Sequence, residues 1–300
     1  MPLQLFVFLQ LEFPWALGPA DGRYLLRDGP EAEPERVVVV ETLGASPAAA
    51  GVQLAGPAGW MTRRRSSRRE REVEPQPQPA EVTTTRVTVI DPVPLSAEGQ
   101  ARAWLEELDR ERDVEAAVAI VNRVVHAHRI AAADPYVREV GAAQALVTRA
   151  GWGRGEQVAS GLWIHARELS ARRRRGARRR DRSWALRPQE RLAALLSGRS
   201  RGLLCEELAL RARLDLDQGR PRHAAVGLDR ALAAAVGELA GEDRQDLALR
   251  LAELEQLCEG VGEQARATLE GGGEAPDAEL VEHALGRLEA ALRARTAAGI

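Results

Sequence analysis

The sequence predicts an α+β protein: a small, mostly antiparallel N-terminal sheet with packed helices, followed by an all-helical bundle or hairpin domain. Three observations predict it. Through Ile90 the apolar residues tend to alternate with polar ones, the period of strands. From Ser96 onward they recur three and four apart, the period of helices. Between two helical stretches stands an arginine run, Arg172 to Arg182, with the composition of a connector. The division that follows is an α+β domain over 1–170, an Arg-rich connector over 171–183 and a helical domain over 184–300.

The opening run "LQLFVFLQLEFPW" sets Leu5, Val7, Leu9, Leu11 and Phe13 on one face at period two and reads as a strand. It lacks the basic start and unbroken apolar core of a leader segment, since Gln4, Gln10 and Glu12 interrupt it. After the turn residues "PADG", "RYLLR" places Tyr24 and Leu26 on one side. "RVVVVETL" has the β-branched density of a central strand, and "EVTTTRVTVI" is a fourth strand closing at Asp91-Pro92. The segment 44–80 between them runs from Ala, Gly and Pro through "RRRSSRRERE" to "PQPQPA" and is expected to be a flexible insertion.

Ser96 is the expected N-cap of a first helix carrying Ala101, Trp104, Leu105 and Leu108. A second helix begins near Asp113, with Val114, Ala117, Val118, Val121, Val124 and Val125 on one side. Asp134-Pro135 reads as a cap and first-turn proline for a third, ending at Ala150 before Gly151. In the second half, Pro188 to Leu196, Leu203 to Gln218 and a helix from Pro221 follow one another. The last of these carries Ala224, Leu228, Ala231, Leu232, Ala235, Val236 and Leu239. Leu247, Leu251, Leu254 and Cys258 repeat the pattern, and after "GGGEAPD", with Asp277 as a cap, Val281, Ala284, Leu285, Leu288 and Leu292 close it.

The chain holds no lysine, which excludes Schiff-base chemistry and lysine-dependent phosphate loops. Asn122 is the one asparagine, and the Ala, Arg and Gly bias is that of a GC-rich bacterial genome. Such a genome writes arginine where another writes lysine. Formal net charge is −2, giving no global pull toward a polyanion, but 241–300 holds thirteen Asp and Glu against six Arg. Cys205 and Cys258 stand far apart without metal or disulfide spacing, as buried thiols of a reducing cytosol do. No run approaches a membrane span, so the expectation is a soluble cytoplasmic chain without a membrane partner.

No motif in the chain points to a cofactor, a metal or a catalytic residue. His126 and His128, two apart on a helix, point in different directions. His128 extends the valine stripe, while His165, His223 and His283 lack companion ligands at recognised spacing. "GWGRGEQV" has glycines at 151, 153 and 155, but not the spacing of a phosphate loop, and a helix stop with a turn explains them. Trp152 and Trp163 beside it are expected to pack. The carboxylate pairs Glu106/Glu107, Glu206/Glu207 and Asp215/Asp217 lie on amphipathic helices and read as solvated faces. An enzyme would need a pocket joining His128 or His165 to carboxylates.

The stretch "LDLDQGRPRHAAVGLDRALA" resembles a single tetratricopeptide-like helical hairpin, through Gly219, Ala224, Ala231 and Leu232. The resemblance covers Leu203 to Leu239, without a second copy at the repeat period, so a hairpin inside an ordinary bundle stands beside it. What it implies is a surface for a protein partner, with those four residues packing the two helices together. The remaining candidate is the arginine run. Arg172, Arg173, Arg174, Arg175, Arg178, Arg179, Arg180 and Arg182 stand against Asp181 alone. They could neutralise phosphates of nucleic acid or another polyanion, or simply form a solvated connector. The leading expectation is a scaffold or interaction module acting through its C-terminal hairpins, with polyanion binding as the alternative.

Overall fold

The computed structural model describes residues 4–44, 83–169, 189–242, 244–271 and 274–297. The expected insertion over 44–80, apart from Gly44, and the arginine run over 172–182 lie outside them. The chain divides into two compact units, Met1–Ala171 and Arg172–Ile300.

The first unit is built on six antiparallel strands. β1 is Phe6–Phe13, β2 Gly22–Leu26, β3 Arg36–Leu43, β4 Thr84–Ile90, β5 Val147–Gly153 and β6 His165–Glu168, in the order β2-β3-β4-β1-β5-β6. Helices α1 (Glu98–Glu107) and α2 (Arg110–Ala132) pack on one face. There the odd residues of β1, Val7, Leu11 and Phe13, join Val38, Val40, Val87, Val89, Ala150 and Trp152. From the helices come Ala101, Leu105, Val114, Ala117, Val118, Val121 and Val125, so the predicted stripe of α2 is its core face.

The helix expected over 134–150 does not form. Its place is taken by a loop, a short 3-10 turn over Ala142–Gln144, and β5. Asp134 caps no helix: its carboxylate accepts the Tyr136 N–H at 2.9 Å in a local turn. α2 ends just before, at Ala133 in the left-handed conformation (φ 50°). Asn122 then holds the loop, its Nδ2 donating to the Val140 carbonyl and its Oδ1 accepting the Val140 N–H, both at 2.8 Å. Two helices rather than three therefore cover the sheet. Ser96 is likewise not the N-cap of α1. Ala97 holds that position, and the Ser96 N–H and hydroxyl both donate to Gln100 Oε1.

Gly151, expected as a helix stop, lies in β5 opposite Phe8. A Cβ there would stand 2.2 Å from the His165 carbonyl oxygen and 2.8 Å from Ala166 Cα, so the approach of β6 demands glycine. Gly153 makes room in the same way for Val158 and Trp163. The segment 154–164 uses that room to fold back over the second face of the sheet. Val158 joins Phe8, Val37 and Ile90 there, with Trp163 stacked on Phe8 at 5.9 Å between centroids. Both faces of β1 are thus covered, which one alternating stripe did not foretell.

The second unit is helical: α3 over 189–196, α4 Leu204–Asp217, α5 Pro221–Leu239, α6 Gln245–Leu269 and α7 Ala278–Ala297. α5 packs between α4 and α6, and α7 touches α6, α5 and α4, which closes the four longer helices into a ring. The core is made of small and branched residues, including Ala212, Ala224, Leu228, Ala231, Leu232, Ala235, Val281, Leu285 and Leu288, all fully buried. Asp277 caps α7 as expected, accepting the N–H groups of Glu279 and Leu280.

Candidate interaction surface

α4 and α5 form an antiparallel hairpin joined by Gly219, whose φ of +68° suits glycine at a helix end. Small side chains let the two helices close: a Cβ on Gly227 would sit 3.6 Å from that of Ala212. Of the four residues expected to pack this seam, Gly219 makes the turn, while Ala224, Ala231 and Leu232 are buried in the core of the helical unit. Glu238 ties the far end. Its two carboxylate oxygens accept the N–H groups of Leu204 at 2.9 Å and Cys205 at 3.0 Å, the unpaired donors of the first turn of α4. Burial acts against the Glu238 carboxylate, but the Cys205 and Leu204 N–H bonds outweigh it and lower its pKa.

The core face of α4 is made of Cys205, Ala209 and Ala212. Leu208 and Leu216 pack at its edge, half-buried, but the other three leucines point elsewhere. Leu204, Leu210 and Leu214 are 59%, 68% and 42% exposed on the far side of the helix. Among them runs the ion pair Arg211–Glu207, 2.9 Å and one turn apart. At 100° per residue Leu210, Leu214 and Glu207 share one strip, with Arg211 and Leu204 along its border. Sequence reading placed a helix over Leu203 to Gln218 but named no face of it. The signal was present: Leu210 and Leu214 are out of phase with Cys205, Ala209 and Ala212.

The other candidates are placed as follows. His126, not His128, meets a carboxylate: its Nδ1 lies 3.3 Å from Glu139 Oε1, a side chain 3% exposed, with Arg129 beside it. His128 is half-buried against Gly18, and His165 stacks on Trp152 at 4.6 Å. His223 and His283 are exposed. Among the described residues no three His, Cys, Asp or Glu side chains gather as a metal site. Glu106 and Glu107 face solvent, whereas Glu206 pairs with Arg191 at 2.5 Å and Asp215 with Arg220 at 2.7 Å.

Neither thiol is poised for attack. Burial first, then the Glu238 carboxylate, pushes Cys205 up to about 12, and burial followed by Asp229 and Glu255 raises Cys258. A cleft of ≈ 150 Å³ lies between the sheet and the helices, lined by Val7, Val89, Trp104 and Ile120 with Asp91 and Asp113. It is small beside the roughly 300 Å³ at which small-molecule pockets begin. No helix of the described residues is long and apolar enough to cross a membrane. No family model, curated protein or solved structure matches the chain.

Proposed function

We propose that this chain is a protein-interaction module, a non-enzymatic scaffold that presents α4 of its helical unit to a protein partner. The observation that carries this reading is the second apolar face of α4. A helix with one apolar stripe is satisfied by its own core, whereas apolar residues on the opposite side favour a further contact. The small-residue seam with α5 and the Glu238 clamp hold that face in fixed geometry, so little ordering entropy is lost on binding. The tetratricopeptide-like resemblance of 203–239 supports the same use. The test is a photo-crosslinking side chain placed at Leu210 of the full chain in the cells that make it, with exposed Glu255 on α6 as control. An adduct at Leu210 but not at Glu255 is the expected result. Absence of any adduct from Leu204, Leu210 and Leu214 would remove the reading.

The second reading, polyanion binding, is supported by the eight arginines of 172–182 against one aspartate. It requires affinity for single-stranded RNA or duplex DNA that falls steeply with salt and vanishes when those arginines become glutamine. Fluorescence anisotropy across a salt series measures both, and no binding at low salt would leave the run a connector.

A further inference from the structure

Resting on the interaction reading of α4, we infer that the occupant of its outer face is a second copy of this chain, docked antiparallel about a twofold axis beside Leu210. The pattern on α4 complements itself. With the axis level with position 209, Leu210 of each copy stands one residue beyond it, about 3 Å along the helix from its equivalent and within side-chain reach. Leu204 then lies against Leu214 of the second copy, and Glu207 against its Arg211. One interface makes each of the last two contacts twice, as an isologous arrangement requires. Apolar residues thus meet apolar ones, and each carboxylate meets a guanidinium. Glu207 and Arg211 are 59% and 69% exposed, so both can turn from their present pairing to a partner. The pairing also discriminates: a parallel arrangement in register would set Glu207 against Glu207 and Arg211 against Arg211.

Sedimentation equilibrium of the full chain over a range of concentrations tests this. The expected result is a weight-average mass rising toward twice that of one chain. Leu210→Glu buries a carboxylate beside the axis and should weaken association at least tenfold. Glu207→Arg and Arg211→Glu should each do the same by facing like charges. The double variant Glu207→Arg with Arg211→Glu restores opposite charges across the axis and should recover association. It also keeps an ion pair within α4, so circular dichroism should show unchanged helix content in every variant. A chain that stays monomeric overturns the inference, as does a dimer indifferent to Leu210→Glu or a double variant no better than the singles. If the chain is monomeric yet Leu210 crosslinks a different protein, the second copy is excluded while the interaction reading stands. If it is monomeric and none of the three leucines crosslinks, both are lost.

Discussion

Asn122 shows how much structure one side chain can carry. It is fully buried in the middle of α2, where a polar residue is costly unless every group is paired. Both ends of its amide are used by one residue, Val140, whose backbone would otherwise be buried without partners in a loop with no ladder of its own. Asn122→Leu should therefore cost roughly 2–4 kcal/mol, because it orphans a donor and an acceptor together. Asn122→Asp keeps the acceptor but sets a buried carboxylate oxygen against the Val140 carbonyl, so at neutral pH it should cost at least as much. Urea unfolding of the full chain measures both. That the chain spends its one asparagine here was visible in the sequence, but its partner was not. Val140 lies eighteen residues on, in a stretch whose local signals described a different element.

Those local signals explain most of what was legible at the level of elements. β1 to β4, α1, α2 and the helices from α4 onward each announce themselves by period, since one face of each meets a core. β5 does not. Its residues VTRAGWG include Ala and two Gly, weak strand formers, and its strand character comes from pairing with β1 on one side and β6 on the other. Long-range pairing overrode a plausible start signal at Asp134-Pro135. Gly151 tests the account. Gly151→Ala should push β6 away from β5 and destabilise the first unit by about 1–3 kcal/mol. Unfolding together with amide exchange in 165–168 would read this. An alanine tolerated without loss of protection in β6 would show that the strands are not so close. In α4 the sequence marked the helix but not its faces: Cys205, Ala209 and Ala212 lie inside while Leu204, Leu210 and Leu214 lie outside, so hydrophobicity alone does not separate them.

At the scale of the molecule, the absence of lysine shapes the response to pH. Apart from His126, the described ion pairs all take their positive charge from arginine, which does not titrate in any accessible range. Charge-pair stability is therefore lost mainly on the acid side, through the carboxylates. Glu12 is the clearest case. Burial raises its pKa, but hydrogen bonds and charge from Arg149, at 2.7 Å, and Arg86, at 3.1 Å, outweigh that and hold it below the usual value. A depressed folded-state pKa means the contribution is complete above the unfolded value and disappears as pH falls through the folded one. Glu12→Gln should lower stability at neutral pH and flatten the loss between neutral and strongly acid conditions. Denaturant midpoints along a pH series would show it, and parallel curves for the two proteins would contradict it.

The folding back of 154–164 over the sheet has a consequence for how this sequence can drift. Connections between strands are ordinarily where a lineage accepts substitutions and extra residues, since they cost the core nothing. Here Gly153, Val158 and Trp163 belong to the core, and Ala159 and Ser160 hold strand residues through Gln10 and Glu41. A lengthened 154–164 would uncover Phe8 and Ile90, so that connection must keep its length. Distant kin of this chain are better sought by a fixed interval from Trp152 to Trp163 than by any alignment through the middle of the sheet.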